Sequence, residues 1–563
     1  MNNTVAKHII EQLLFQKVTD FCICAGGRNV PLISVLVRLK EVQKESLNKN
    51  LLQINIYEFF DERSASFFAL GRSKATKKPT VVITTSGTAV AETLPAMLEA
   101  KYSNTPLIIL SADRPKSYQN AYTPQTMNQA NIFSFLNIKC WNLDENNFKE
   151  FVFSSTTKKQ YHINASFNDP IVFNNTVTLD SKILAWLTKE GGDSAHRDVE
   201  PPPFVSQANI LESKNQPCNK DLLAEDRVLL AQFFSKGKRP LVLVSKLDLK
   251  HQSNLINFLL KLNTFVYLEA GSGLWGERKL ELLLLKAGEK TLEQAFENKW
   301  FDSVIKIGNT PTVKVWRLLE DKFKTLPVLS VVEHGESGLS RSKQKFFVEP
   351  FLKTFCDDSI SSLGITGAWG RDSLWKEKIK TLDKQFYKEK HTRCKENPFS
   401  EEALVRQMSE VFLEENNIFL GNSLSIRHWD SVAIKKAFCS VESHRGLNGI
   451  DGLVSGFLGW ASGMSDKNKS WAVLGDLSAL YDLNALWISK QLSNKNWAII
   501  IVNNFGGKIF KPLFNQKILE ANHSLEFEHW AKLFNCSYTK IEAKNFTKQF
   551  NKNITGIVEV VLP

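Results

Sequence analysis

Short apolar runs alternate along the chain with stretches in which apolar residues return at helical spacing. Strands buried on both faces, with helices between them, are the mark of parallel sheets covered by helices. In the first third the pattern predicts strands over Asp20–Cys24, Gln53–Tyr57, Thr80–Thr84 and Leu107–Ser111. In the middle it predicts strands over 239–245, 263–270, 303–309 and 326–333, and in the last third over Asn417–Leu420, Ser470–Leu474 and Trp497–Val502. Two polar stretches interrupt the rhythm. EGGDSAHRDVEPPP around 190–203 has the composition of a linker. Lys376–Asn397 is heavily charged and reads as a helical connector, and Ser400 caps a helix that opens on Glu401 and Glu402. The fold class expected is α/β, with three doubly wound parallel-sheet domains. Their boundaries are 1–188 for the N-terminal domain, 189–222 for the linker, 223–375 for the middle domain, 376–397 for the connector and 398–563 for the C-terminal domain.

Composition narrows the picture. A chain of 563 residues is too long for one core, and 43% hydrophobic with 23% charged residues is ordinary globular usage. The net charge of +12 comes from scattered lysines, with no basic tail or RNP-like aromatic pattern, so nucleic-acid binding is not expected. The eight cysteines show neither paired nor zinc-type spacing, which suits free thiols in a reducing cytoplasm. Cys22 and Cys24 alternate in one strand and read as packing. The opening MNNTVAKHIIEQLLF runs straight into an amphipathic helix without a signal-peptide layout, and no apolar run is long enough to span a bilayer.

Candidate chemistry begins at the ends of the last predicted strands. Magnesium takes six oxygens, several of them from bound phosphates, so a protein needs to offer only one carboxylate, one amide oxygen and a carbonyl. Asp476, after the strand that ends in Gly475, and Asn504, after the next strand, stand at the same edge of one sheet, where open α/β sheets bind ligands. Gly506 is free to turn its carbonyl to the ion, Asn503 braces the loop, and Ser478 lies where a phosphate would meet free N–H groups. An acid after glycine and a double asparagine 28 residues later resemble the thiamine-diphosphate signature, with Leu477 in place of its second glycine. The bland alternative is a helix-capping aspartate and an asparagine turn.

That cofactor needs a carboxylate against its aminopyrimidine, a proton-transfer role for a glutamate at a strand end in another domain. YEFFDERSASFFALG supplies Asp61, Glu62 and Arg63 at the start of a helix. Glu62 is the candidate catalytic residue; Asp61 caps the helix, and Arg63 pairs locally or reaches the site.

Taken together, FFDERSASFFALG, TTSGTAVAETLPAMLEA, PLIILSADRP, GNSLSIRHWD, HRGLNGIDGLVS, GDLSALYDLNAL and VNNFGGKIF resemble the MenD family, the 2-succinyl-5-enolpyruvyl-6-hydroxy-3-cyclohexene-1-carboxylate synthases of menaquinone biosynthesis. The resemblance covers the first and last thirds, and the middle matches weakly. It implies the three-domain thiamine-diphosphate enzyme fold, with Mg²⁺ or Mn²⁺ as the ion. It also implies decarboxylation of 2-oxoglutarate and conjugate addition of the succinyl unit to isochorismate. By motif match it implies cofactor contacts from Gly475, Asp476, Leu477, Ser478, Asn504 and Glu62, with Ile450 propping the bent cofactor. Both substrates are polyanionic and call for arginines, which Arg28, Arg427 and Arg445 provide. Gln125, Lys314 and Ser423 resemble further substrate positions, and Ile509, Phe510 and Leu513 an apolar wall beside isochorismate. Three departures stand out: AGGRN replaces a PGSRS-like loop and leaves Gly27 without a hydroxyl, Pro124 precedes Gln125 where asparagine is usual, and Val315 replaces a second basic residue after Lys314. The resemblance further implies a homo-oligomer, dimer or tetramer, with active sites at the subunit interface. The rival reading is another thiamine-diphosphate enzyme, such as an acetolactate synthase or a simple 2-oxo-acid decarboxylase; a non-catalytic protein that kept the fold is a second.

Overall fold

Among the described residues of the computed structural model, every strand pairs with its neighbours in parallel. The structure describes residues 1–45, 53–119, 121–154, 160–169, 171, 173, 222, 224–312, 314–335, 338–340, 345–356 and 373–563. The expected linker 189–222 therefore lies, apart from Leu222, outside the described residues. The chain divides into two units: Met1–Ser213 with Gly446–Asp466 and Leu480–Lys495, and Lys214–Arg445 with Lys467–Ala479 and Asn496–Pro563.

The first unit holds a six-stranded sheet of β1 (Asp20–Cys24), β2 (Asn55–Phe59), β3 (Thr80–Thr84), β4 (Leu107–Asp113), β5 (Lys139–Leu143) and β6 (Gln160–Ser166), in the order β2-β1-β3-β4-β6-β5. β2 begins two residues later than the apolar pattern predicts. β5 and β6 escape that pattern altogether, for different reasons. β5 is a largely exposed edge strand, and β6 buries polar side chains that satisfy one another. Ser111 Oγ lies 2.8 Å from His162 Nε2 and donates to Asn164 Oδ1, while Asn164 Nδ2 donates to Asp113 and Asn142. Burial lowers the His162 pKa to about 4. The imidazole thus stays neutral in the fold down to that pH, whereas an unfolded histidine charges below about 6.5. Its stability contribution is complete above about pH 6.5 and is lost as pH falls toward 4, about 3 kcal/mol in all. Between pH 7 and pH 4, urea unfolding is expected to show a stability loss about 3 kcal/mol smaller in His162→Gln than in the native chain.

Two helices of this unit, Glu62–Thr76 and Leu453–Ser462, cross at glycines. A Cβ on Gly71 would stand 1.9 Å from the Gly456 carbonyl oxygen, and one on Gly459 the same distance from the Phe68 oxygen. Backbone on both sides leaves nothing flexible to yield. Gly71→Ala is expected to cost about 1–3 kcal/mol or more as overpacking; an unchanged urea midpoint would rule out this crossing.

The second unit carries two sheets. One is β7 (Pro240–Val244), β8 (Val266–Leu268), β9 (Ser303–Ile307), β10 (Val328–Val332) and β11 (Lys345–Phe347), in the order β11-β10-β9-β7-β8. The other is β12 (Asn417–Leu420), β13 (Ser440–Glu442), β14 (Ser470–Gly475), β15 (Trp497–Asn503), β16 (Tyr538–Glu542) and β17 (Gly556–Val561), in the order β13-β12-β14-β15-β17-β16. The charged connector is the helix Ser373–Glu396, and it belongs to the middle core: Trp375 and Ile379 pack there, and Asp383 accepts from the Lys286 and Ala287 N–H groups and the Thr291 hydroxyl. Ser400 caps the helix Glu401–Val411 as its sequence predicts. No helix among the described residues is long and apolar enough to cross a membrane.

All three sheets repeat one plan. Numbered within itself, each contains the order 2-1-3-4, so the connections leave in opposite directions between its first and third strands. Side loops diverge there and open a crevice at the carboxyl ends of the strands, the general ligand site of doubly wound sheets.

Candidate active site

In the last sheet the crevice lies between β12 and β14, and Gly421–Ser423 and Asp476 occupy its two rims. Asp476 is buried; its Oδ1 accepts from the Leu477 N–H at 2.6 Å and its Oδ2 from the Gly506 N–H at 2.9 Å. That second bond ties the β14 end to the β15 loop. His523 Nε2 stands 3.2 Å from the same Oδ2. Asn503 braces the loop: it donates to the Leu525 carbonyl and to the buried Glu559, and accepts from the Phe505 N–H. Gly506 has φ +145°, and a Cβ there would meet the Glu520 carbonyl oxygen at 2.6 Å, so this turn excludes side chains. Asn504 donates its Nδ2 to Glu401 Oε2 at 3.0 Å, while its Oδ1 is buried and has no hydrogen-bond partner among the described residues. A buried amide oxygen is costly unless something binds it. With Asp476, whose carboxylate is tied to the same loop through the Gly506 N–H, the donor set is one carboxylate and one neutral oxygen, which is hard-cation chemistry. These residues fit a divalent ion. Burial first, and the Asp476 and Glu402 charges with it, push the Glu401 carboxyl up to about 7 against the pull of the Asn504 hydrogen bond.

The same unit gathers cationic groups. Ser423 sits at φ +69° and opens the helix Leu424–Val432; its carbonyl accepts from Arg427 Nη1 at 2.6 Å. Arg445 is buried, donating to Asn422 Oδ1 at 3.1 Å and reaching the Pro311 carbonyl at 3.5 Å. Burial and the neighbouring Arg445 lower the Arg427 pKa, with Glu289 opposing. Glu289 also accepts from the Lys314 N–H, so the middle-domain loop at Lys314 belongs to this group. Gly475 and Leu477 are half-buried, and Ser478 is buried in the short helix Asp476–Tyr481. Ile509 is half-buried, and Phe510 and Leu513 are exposed.

In the first unit the crevice lies between β1 and β3. Asp61 caps the helix that follows β2, accepting from the Ser64 N–H at 3.0 Å, and so places Glu62 at the first helical position. Burial raises the Glu62 pKa, the Asp61 and Glu92 charges add to it, and a backbone hydrogen bond opposes. Cys24, at the end of β1, feels the Glu62 charge; its thiol is pushed well up, mainly by burial, and acts as packing. Arg63 does not pair locally as its sequence suggests: it donates to the carbonyl of Tyr481, distant in sequence, at 2.9 Å and stands over that ring. Arg28 is buried and held by the Phe167 carbonyl at 2.9 Å and the Asp169 carboxylate at 3.0 Å. Gln125, at φ +59°, lies against Gly87. Ile450 is half-buried in the loop that Glu99 anchors by accepting from the Gly446 and Leu447 N–H groups at 2.8 and 2.7 Å.

Comparison with known proteins gives the family. Residues 3–132 match the family model described as thiamine pyrophosphate enzyme, N-terminal TPP binding domain. A 2-succinyl-5-enolpyruvyl-6-hydroxy-3-cyclohexene-1-carboxylate synthase of Bdellovibrio bacteriovorus is 35% identical over 96% of this chain and 92% of its own length. The chain belongs to this synthase family. Synthases of the same name from Akkermansia muciniphila (30% identical, 99% of this chain and 95% of the relative) and Bacillus velezensis (27%, 96% and 91%) also match across nearly the whole chain. Around the candidate residues, three supporting residues lie beyond what the sequence pattern singles out. Glu401 carried only the signal of a first-turn acid, His523 stands alone in a polar loop, and Glu99 reads as an ordinary helix acid. Each acts through a contact distant in sequence, which no local pattern encodes.

Proposed function

We infer that the protein is a thiamine-diphosphate-dependent, decarboxylating carboligase that transfers a succinyl unit from 2-oxoglutarate to isochorismate in menaquinone biosynthesis. The observation that carries this reading is the buried Asn504 oxygen, without a hydrogen-bond partner among the described residues, on the loop tied to Asp476, in a chain of this synthase family. Asp476, Asn504 and the Gly506 carbonyl would hold Mg²⁺ or Mn²⁺, and Ser478 lies by the diphosphate. Thiamine diphosphate, when bound, supplies an electron sink for decarboxylation and carbon–carbon bond formation. The chain's own residues do the rest. Glu62 would hold a proton for the aminopyrimidine, Ile450 would support the cofactor, and Arg427, Arg445 and Lys314 would orient carboxylates by charge-assisted hydrogen bonds. Arg28, Gln125 and Ser423 complete the polar contacts to the acceptor, and Ile509, Phe510 and Leu513 form an apolar wall that keeps water from it.

The active species is a homodimer or homotetramer, in which Glu62 of one chain serves the metal half-site of another. Sedimentation with activity across the gradient tests this: activity should travel only with species larger than a monomer. The reaction itself is tested by mixing the protein with thiamine diphosphate, Mg²⁺, 2-oxoglutarate and isochorismate and identifying the product by mass. Turnover of pyruvate alone, without the isochorismate adduct, would favour an acetolactate-synthase-like enzyme.

A further inference from the structure

We propose that Glu401 is a positioning residue for the divalent cation, which orients the Asn504 amide so that its oxygen faces the ion. The proposal rests on the metal reading above. The Asn504 NH₂ donates to Glu401 Oε2 at 3.0 Å, and an ionised carboxylate there can only accept, so it selects this amide orientation. The carbonyl oxygen of the same planar group then points the other way, where it is buried and meets no donor among the described residues. One hydrogen bond thereby settles which end of Asn504 is offered to a cation.

Local structure explains how Glu401 reaches this point. Ser400 accepts from the Ala403 N–H and starts the helix, which makes Glu401 its first residue. The two adjacent acids then part. Glu402 turns to Arg393, with bonds of 3.0 and 2.8 Å. Glu401 turns inward to Asn504, with His428 Nε2 3.9 Å from its other oxygen. A half-buried carboxyl near Asp476 is unfavourable for folding alone, so helix capping does not account for it. Partners that orient metal ligands typically affect affinity by about 10–100-fold.

The test is Mn²⁺ affinity of the full-length protein with thiamine diphosphate, read from loss of the free-ion electron paramagnetic resonance signal. Glu401→Leu is expected to weaken Mn²⁺ binding by about tenfold or more, while the melting temperature of the metal-free protein stays level or rises. Glu401→Gln keeps an acceptor for the Asn504 NH₂ and should recover most of the affinity. Glu401→Ala replaces the leucine variant if that one fails to fold. Unchanged affinity in Glu401→Leu overturns the proposal, and so does a glutamine variant as weak as leucine, since charge and not orientation would then be at work. Failure of the unsubstituted protein to bind Mn²⁺ with thiamine diphosphate overturns the functional reading and this proposal together.

Discussion

Glu62→Gln is expected to bind thiamine diphosphate with near-native affinity and to lose at least about a hundredfold in turnover. Glutamine matches the glutamate's size and can accept or donate one hydrogen bond, so the helix start set by Asp61 survives. It cannot take up or release a proton, and that exchange is what a positioned acid–base group contributes, about 10²–10⁴-fold. Burial raises the Glu62 pKa above that of an exposed glutamate. The ionised form is therefore lost at a higher pH on acidification, and the acid limb of kcat/KM should lie correspondingly high in the native enzyme and vanish in the variant. Steady-state rates across pH, with cofactor affinity measured by calorimetry, check both halves. Native turnover in Glu62→Gln would show that another group does this work.

Asp476→Asn is expected to abolish divalent-dependent cofactor binding in practical terms, weakening it by about a hundredfold or more. The amide oxygen can keep the bond from the Gly506 N–H, which spans 2.9 Å to the native carboxylate, at the expense of the one from the Leu477 N–H, so the loop stays tied. What disappears is the negative charge offered to a dication in a buried place, where contacts to charged groups are worth about 3 kcal/mol, or a little over a hundredfold. Calorimetric titration of thiamine diphosphate with and without Mg²⁺ reads this directly. Equal Mg²⁺-dependent affinity in native and variant chains would move the ion elsewhere. The two substitutions separate the two halves of the site: one should spare binding and stop chemistry, the other should stop binding itself.

Much of this molecule was legible in its sequence because it depends on neighbours along the chain. The apolar runs of β1, β3 and β12 mark those strands to the residue, and Asp61 and Ser400 announce their helices by local capping. The order of Gly475, Asp476, Asn503 and Asn504 against their strands pointed to one sheet edge. Tertiary structure decided what depends on distant partners. β6 is a strand because Gln160, His162 and Asn164 find buried partners, which cancels the polarity that hid it. Asn503 and Asn504, adjacent and alike, take different roles because Glu559 holds the first inward and Glu401 turns the second. Local preference is a property of a few consecutive residues, whereas the direction in which a buried amide points is set by whichever donor or acceptor the fold brings opposite it.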